Sequence, residues 1–104
     1  MSSSQAFVEV TYPASAASDF KMDYYVNTHC ELLKEHWSGH GLRQLTLVKG
    51  EEGQDFHLQA HLVWDNLDAW KNAPNADKVL GDVPNFTNSK PSMRVGKIQS
   101  TTTY

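Results

Sequence analysis

Residues 56–64, FHLQAHLVW, alternate without a break, and no other stretch of the chain limits its possible folds so tightly. In a strand successive side chains point to opposite faces, so Phe56, Leu58, Ala60, Leu62 and Trp64 share one side. His57, Gln59, His61 and Val63 share the other. The first side is apolar throughout and has to be covered by other elements of the chain. The second is mixed, less polar than a free solvent face. Val63, joined by Phe7 if the first strand keeps the same parity, leaves an apolar patch on a single copy, and a partner sheet is its simplest cover.

The covering elements can be read on either side of this strand. Residues 6–12, AFVEVTY, alternate and stop at Pro13, which predicts a first strand. Apolar residues then recur at helical spacing from Met22 to Trp37, until Gly39 and Gly41 end the pattern. Residues 42–49, LRQLTLVK, predict a second strand, joined to the third by GEEGQD (50–55), a turn suited to a hairpin. DNLDAW opens a helix capped by Asp65 or Asn66, with Asp68 favourable in its first turn. Pro74 breaks that helix, and a short helical piece follows around Asp77–Leu80. GDVPNFTNSKP (81–91) is rich in turn formers, and SMRVGKIQ (92–99) is a last strand. The order strand, helix, strand, strand, helix, strand is the split βαβ, ferredoxin-like α+β sandwich, with two helices on one face of a four-stranded antiparallel sheet.

A chain of 104 residues makes one domain, expected over 1–104 with short flexible ends near 1–5 and 100–104. Hydrophobic residues at 39% and charged residues at 20% argue against disorder. The net charge of -3 and the scatter of nine Lys and Arg give no footprint for nucleic acid. No apolar run has the length of a membrane span, and MSSSQ lacks the regions of a secretory signal. Cys30 is the only cysteine, so no internal disulfide forms and a cytoplasmic setting is expected.

On the first helix, at about 100° per residue, Asp23, Asn27, Glu31 and Lys34 fall on one side. Met22, Tyr25, Val26, Leu32, Leu33 and Trp37 fall opposite, and His29 and His36 sit in the middle of that apolar face. Tyr25 is the neighbour of His29 four residues back, while Tyr24 and Cys30 lie toward the flanks. Each unpaired ring nitrogen in a dry place costs about 1–3 kcal/mol. His29 is therefore either a core histidine bonded to a carbonyl or a tyrosine hydroxyl, or a proton carrier facing a cavity between helix and sheet. Burial would lower its pKa and keep it neutral, ready to accept a proton. Ala60 on the facing strand leaves room for a ligand, and equally lets the helix pack closer. His36, near the helix end beside Trp37, fits the packing role better.

Metal binding fits the histidines poorly. His57 and His61 share a strand face but stand about 13 Å apart. His29 and His36 are about 10 Å apart along the helix axis, and the spacing of His36 and His40 is interrupted by Gly39. No HExxH, phosphate-binding glycine loop, dinucleotide fingerprint or GxSxG elbow occurs, so no metal and no cofactor are expected. Cys30 and His29, adjacent on a helix, point about 100° apart and cannot form a nucleophile pair by adjacency.

FKMDYYVNTHCELL, Trp37, Gly41–Leu42, FHLQAHLVWDNLDAW and GDVPNFTNSKP with Gly96 together resemble the EthD family of small dimeric α/β-barrel proteins, over most of the chain from Tyr12 to Ile98. The resemblance implies a ferredoxin-like fold and a homodimer whose two sheets form a barrel. It carries over His29, His57, Asp82, Asn85 and Asn88 as positions matching the family pattern, whereas His40 and His61 lie outside it. Cys30 stands where many members have methionine. Similar proteins include dehydratases and decarboxylases of aromatic polyketide pathways. The wider fold also includes cofactor-free monooxygenases, isomerases and cyclases, so fold alone does not choose among them.

The resulting expectation is a cofactor-free acid–base lyase or cyclase acting on a hydrophobic, aromatic, polyketide-like small molecule. His29 and Tyr25 would be catalytic, with Tyr24, His36, Asn85, Asn88, Asp82 and His57 binding substrate. The asparagines of the loop also have a plainer reading, as turn and cap formers. An accessory protein that only binds a small molecule is the alternative, and a cofactor-free monooxygenase is the third reading.

Overall fold

A computed structural model describes residues 4–104 of the chain. Four strands form one antiparallel sheet in the order β2-β3-β1-β4, comprising β1 (Ala6–Pro13), β2 (Leu42–Lys49), β3 (Phe56–Trp64) and β4 (Ser92–Lys97). This is the split βαβ arrangement expected of the element order. The alternation of β3 decides its facing as expected: Leu58, Ala60, Leu62 and Trp64 are buried, while Gln59, His61 and Val63 are only partly covered.

The helices lie against the inner face. Residues 22–37 form one continuous rod in three pieces, α1 (Met22–Tyr24), a π turn (Tyr25–His29) and α2 (Cys30–Trp37). Asn66 caps α3 (Leu67–Lys71) by accepting the Ala69 N–H at 2.8 Å. Asp65 instead makes a two-toothed pair with Arg43, so of the two candidate caps Asn66 is the one used. α4 (Ala76–Gly81) follows beyond Pro74. The core falls into two clusters. One joins Leu33 and Trp37 to Val8, Leu62 and Trp64, and the other gathers Tyr12, Tyr25, Leu58 and Phe86.

The π turn changes the helix wheel. A wider turn advances each residue through a smaller angle, so Tyr25, His29, Leu33 and Trp37, spaced by fours, stay in register toward the sheet and are all buried. The same widening swings Val26 out to 46% exposure, which corrects its placement on the apolar face.

The outer face of the sheet is mixed, as expected. Phe7 lies opposite Val63 in register, and the His61 ring meets Phe7 edge-on at 5.3 Å. His61 Nε2 also lies 3.0 Å from the Gln59 side-chain oxygen. At the chain ends, the flexibility expected for residues 1–5 falls largely outside the described residues. The Gln5 carbonyl accepts the Ile98 N–H at 2.8 Å, so the start of the fold is tied down there. β4 ends at Lys97, two residues short of the stretch the sequence suggested. Among the described residues no helix is long and apolar enough to cross a membrane.

Candidate active site

His29 is placed by the π turn and by the loop that follows α4. The residue is 6% exposed, and its Nδ1 lies 3.0 Å from Asp82 Oδ2. Two further donors fix that carboxylate: the Tyr24 hydroxyl at 2.7 Å and the Asn85 side-chain amide at 2.8 Å, both on Oδ1. The short helical turn Val83–Asn85 brings Asn85 back over Asp82, three residues away. An imidazole flanked by a carboxylate that is itself held in place has a defined tautomer, with the proton on Nδ1 and a basic Nε2. Nε2 has no protein partner among the described residues, and it is not one of the fully buried unpaired atoms, a condition met only by Trp64 Nε1.

The ring is sandwiched by aromatics. Tyr25 stacks on it with centroids 5.3 Å apart and planes 26° apart, and Phe86 approaches at 4.8 Å. Phe86 also packs on Tyr12, Phe20 and Tyr25, so it joins the loop to the aromatic cluster of the core. The stack leaves His29 on the wall of a cavity of about 50 Å³ between the first helix and the sheet. Val8, Val10, Ala60 and Leu62 form the sheet side of that cavity, and Leu80, Pro91 and Met93 form its rim. Ala60, itself 3% exposed, is the small residue of that wall.

Electrostatics follow from this placement. Burial pulls the His29 pKa below its ordinary value, against the opposing hydrogen bond and charge of Asp82, so the neutral ring is favoured. Burial alone would raise the Asp82 carboxyl. The hydrogen bonds from Asn85, Tyr24 and His29 outweigh it and hold the group below the usual carboxylate range. Burial raises the Tyr25 hydroxyl, which stays protonated, and raises the Cys30 thiol to about 11. The pair is thus a neutral imidazole donating to an ionised carboxylate.

The expected site residues separate into two groups. His29, Tyr25, Tyr24, Asp82 and Asn85 come together, although Asp82, Tyr24 and Asn85 bond to one another and to His29, leaving only His29 and Tyr25 to face the cavity. The other three sit elsewhere. His36 lies near the far end of the helix, its Nδ1 3.2 Å from the Asn75 amide at the surface. Asn88 is exposed, and its backbone N–H donates to Asp19 at 2.9 Å. His57 occupies an irregularity in β3, where Tyr12 pairs with Leu58 and Pro13 with Phe56, and its ring meets Phe20 edge-on at 5.1 Å. It is not part of the cavity wall. The sequence reading missed Phe86, Pro91 and Met93. A turn-rich loop carries no periodicity to show which of its apolar residues point inward. Among the described residues no three of His, Cys, Asp and Glu stand together in a way that could hold a metal ion.

No protein-family model matches the chain, and no curated protein sequence matches it. Solved structures do. An EthD-like protein from Ralstonia eutropha JMP134 is 22% identical with a TM-score of 0.84, over 94% of this chain and 95% of that one. An ethyl tert-butyl ether degradation (EthD) family protein from Bacillus halodurans C-125 is 16% identical with a TM-score of 0.69, over 92% and 99%. SnoaB, a cofactor-independent oxygenase from Streptomyces nogalater, is 16% identical with a TM-score of 0.62, over 95% and 96%. The chain thus has the ferredoxin-like fold found in EthD-like proteins, as the resemblance of its motifs implied.

Proposed function

We propose that the chain is an acid–base enzyme of the lyase or cyclase type, with His29 Nε2 as the group that takes and returns a proton and a hydrophobic small molecule as substrate. The observation that carries this reading is the free Nε2 of a neutral, carboxylate-oriented imidazole on the wall of an apolar cavity. In a dehydration, Nε2 accepts the proton from a carbon acidified by a neighbouring carbonyl. The imidazolium, stabilised by Asp82, then returns that proton to the departing hydroxyl, which leaves as water. Tyr25, kept protonated, is the donor available to an enolate oxygen in the same cavity. This chemistry asks for no cofactor when the substrate is already acidified. The functional unit in this reading is a homodimer joined through the outer sheet face, where Phe7 and Val63 otherwise stay partly exposed, with the two sheets closing a barrel.

A second reading, cofactor-free oxygenation of an electron-rich ring, draws on the fold shared with the cofactor-independent oxygenase SnoaB. It would use the same base to make a substrate anion for reaction with oxygen. Turnover of hydroxylated polycyclic ketones under nitrogen and under air separates the two. Equal product under both gases supports the lyase or cyclase, and product only in air supports the oxygenase. Saturable binding with no product under either gas refutes both and leaves a binding protein.

A further inference from the structure

We infer that Tyr24 is a positioning residue for His29, acting on it through the carboxylate of Asp82 that both side chains hold. The inference rests on the proposed reading only for giving the His29 proton a catalytic use. Tyr24 is not part of the cavity wall, and its hydroxyl is turned to Asp82. Tyr24 and His29 stand five residues apart on the same rod. At about 100° per residue an α-helix would turn them about 140° away from each other. The π turn between them, closed by the Cys30 N–H on the Tyr25 carbonyl, advances each step through a smaller angle. Both side chains therefore reach one carboxylate, Tyr24 holding Oδ1 at 2.7 Å and His29 facing Oδ2 at 3.0 Å. Asn85 also donates to Oδ1, but it lies on the same loop as Asp82, three residues away. Of the two donors on Oδ1, Tyr24 is the one that ties the carboxylate to the rod carrying the histidine. A mere staple for the loop is already supplied, since the Lys21 N–H donates to the Phe86 carbonyl and Asp19 accepts from Thr87 and Asn88.

The bond has an electrostatic effect as well. An ionised carboxylate only accepts, so the Tyr24 hydroxyl donates, and this bond raises its own pKa. Each donor on Oδ1 draws charge from the carboxylate and weakens its pull on the Nδ1 proton. Among the described residues Asp82 is the one charged group that bears on His29. Tyr12 on β1, Tyr25 on the π turn and Cys30 on α2 stay protonated through burial. Tyr24 thus aims the ring and keeps Asp82 from overriding the burial that makes it neutral.

An NMR titration of His29 in the full chain, with no ligand added, tests this. Tyr24→Phe keeps the ring against Phe86 and removes only the hydroxyl. It should raise the midpoint of His29. At a pH where a tenth of the wild-type ring is protonated, the variant should hold about twofold to threefold more. The Nδ1 proton should move downfield as Oδ2 becomes the stronger acceptor. General loosening would also raise the midpoint, toward the ordinary imidazole value, but it would move that proton upfield. In an Asp82→Asn background Tyr24→Phe should leave the midpoint where it is, because the charge it acts through is gone. An unchanged midpoint in Tyr24→Phe, an upfield Nδ1 proton, or a shift that persists in the Asp82→Asn background would each overturn the inference. Turnover keeps the two claims apart. If the midpoint rises and the acidic limb of kcat/KM does not follow it, the catalytic reading falls and this one stands. If the limb tracks His29 while Tyr24→Phe moves neither, this one falls alone.

Discussion

At the scale of the residue, His29 is governed by two opposing effects. Burial favours its neutral form, and Asp82 favours the imidazolium, with burial prevailing. A base of this kind works when deprotonated, so activity should fall as pH drops through the folded pKa, placing the acidic limb of kcat/KM below the ordinary imidazole value near 6.5. Stability follows the same sign. Above that ordinary value nothing is lost, and below it the unfolded chain takes up a proton more readily than the folded one, so stability declines with acid. Asp82→Asn removes the charge that opposes burial. It should move the acidic limb to lower pH and reduce kcat by about 10–10³-fold through loss of imidazolium stabilisation. A pH–rate profile checks both, and an unchanged limb would separate Asp82 from the titration of His29. The sequence allowed a proton carrier at 29 with Tyr25 beside it, because helical spacing is local. It could not pair His29 with Asp82, which lies 53 residues away in a loop whose path only the folded chain defines.

At the scale of the element, strands and helices were legible almost throughout, since periodicity and caps mark them directly. The second and third strands have the bounds expected of them, Leu42–Lys49 from its Leu, Thr and Val content and Phe56–Trp64 from its alternation. The π turn was not legible. Nothing in YVNTH distinguishes it from an α-helical stretch, and its effect appears only as Val26 turning outward while Tyr25 and His29 stack. The loop 81–91 also gains a fixed shape from a distant residue. Asp19 accepts the Thr87 hydroxyl at 2.7 Å and the Asn88 N–H at 2.9 Å, and the Lys21 N–H donates to the Phe86 carbonyl at 2.8 Å. These bonds hold Phe86 against His29 from outside the cavity. Asp19→Ala should speed amide exchange at Asn88, while the strands keep their protection. Protection unchanged at Asn88 would mean that the packing of Phe86 alone fixes the loop.

At the scale of the whole molecule, one sheet face carries the core and the other carries Phe7, Val63 and His61, partly covered within a single chain. The mixed alternation of β3 already showed this, because each residue's parity assigns its face. Which partner covers that face is a question no single chain answers from its own pattern. Joining two copies through it predicts a dimer at micromolar concentration in light scattering, and Phe7→Glu should yield a folded monomer. A wild-type monomer would remove the barrel from the account. The central claim is that His29 serves chemistry and not merely the core, and His29→Gln tests it most directly. Glutamine keeps polarity and approximate size, and it retains a donor for Asp82, which keeps its bonds from Tyr24 and Asn85. Turnover and denaturation of this variant should be measured together. Turnover should fall about 10²–10⁴-fold with stability changed by less than about 2 kcal/mol. Turnover left intact, or a loss of several kcal/mol of stability, would show instead that His29 is a packed core residue.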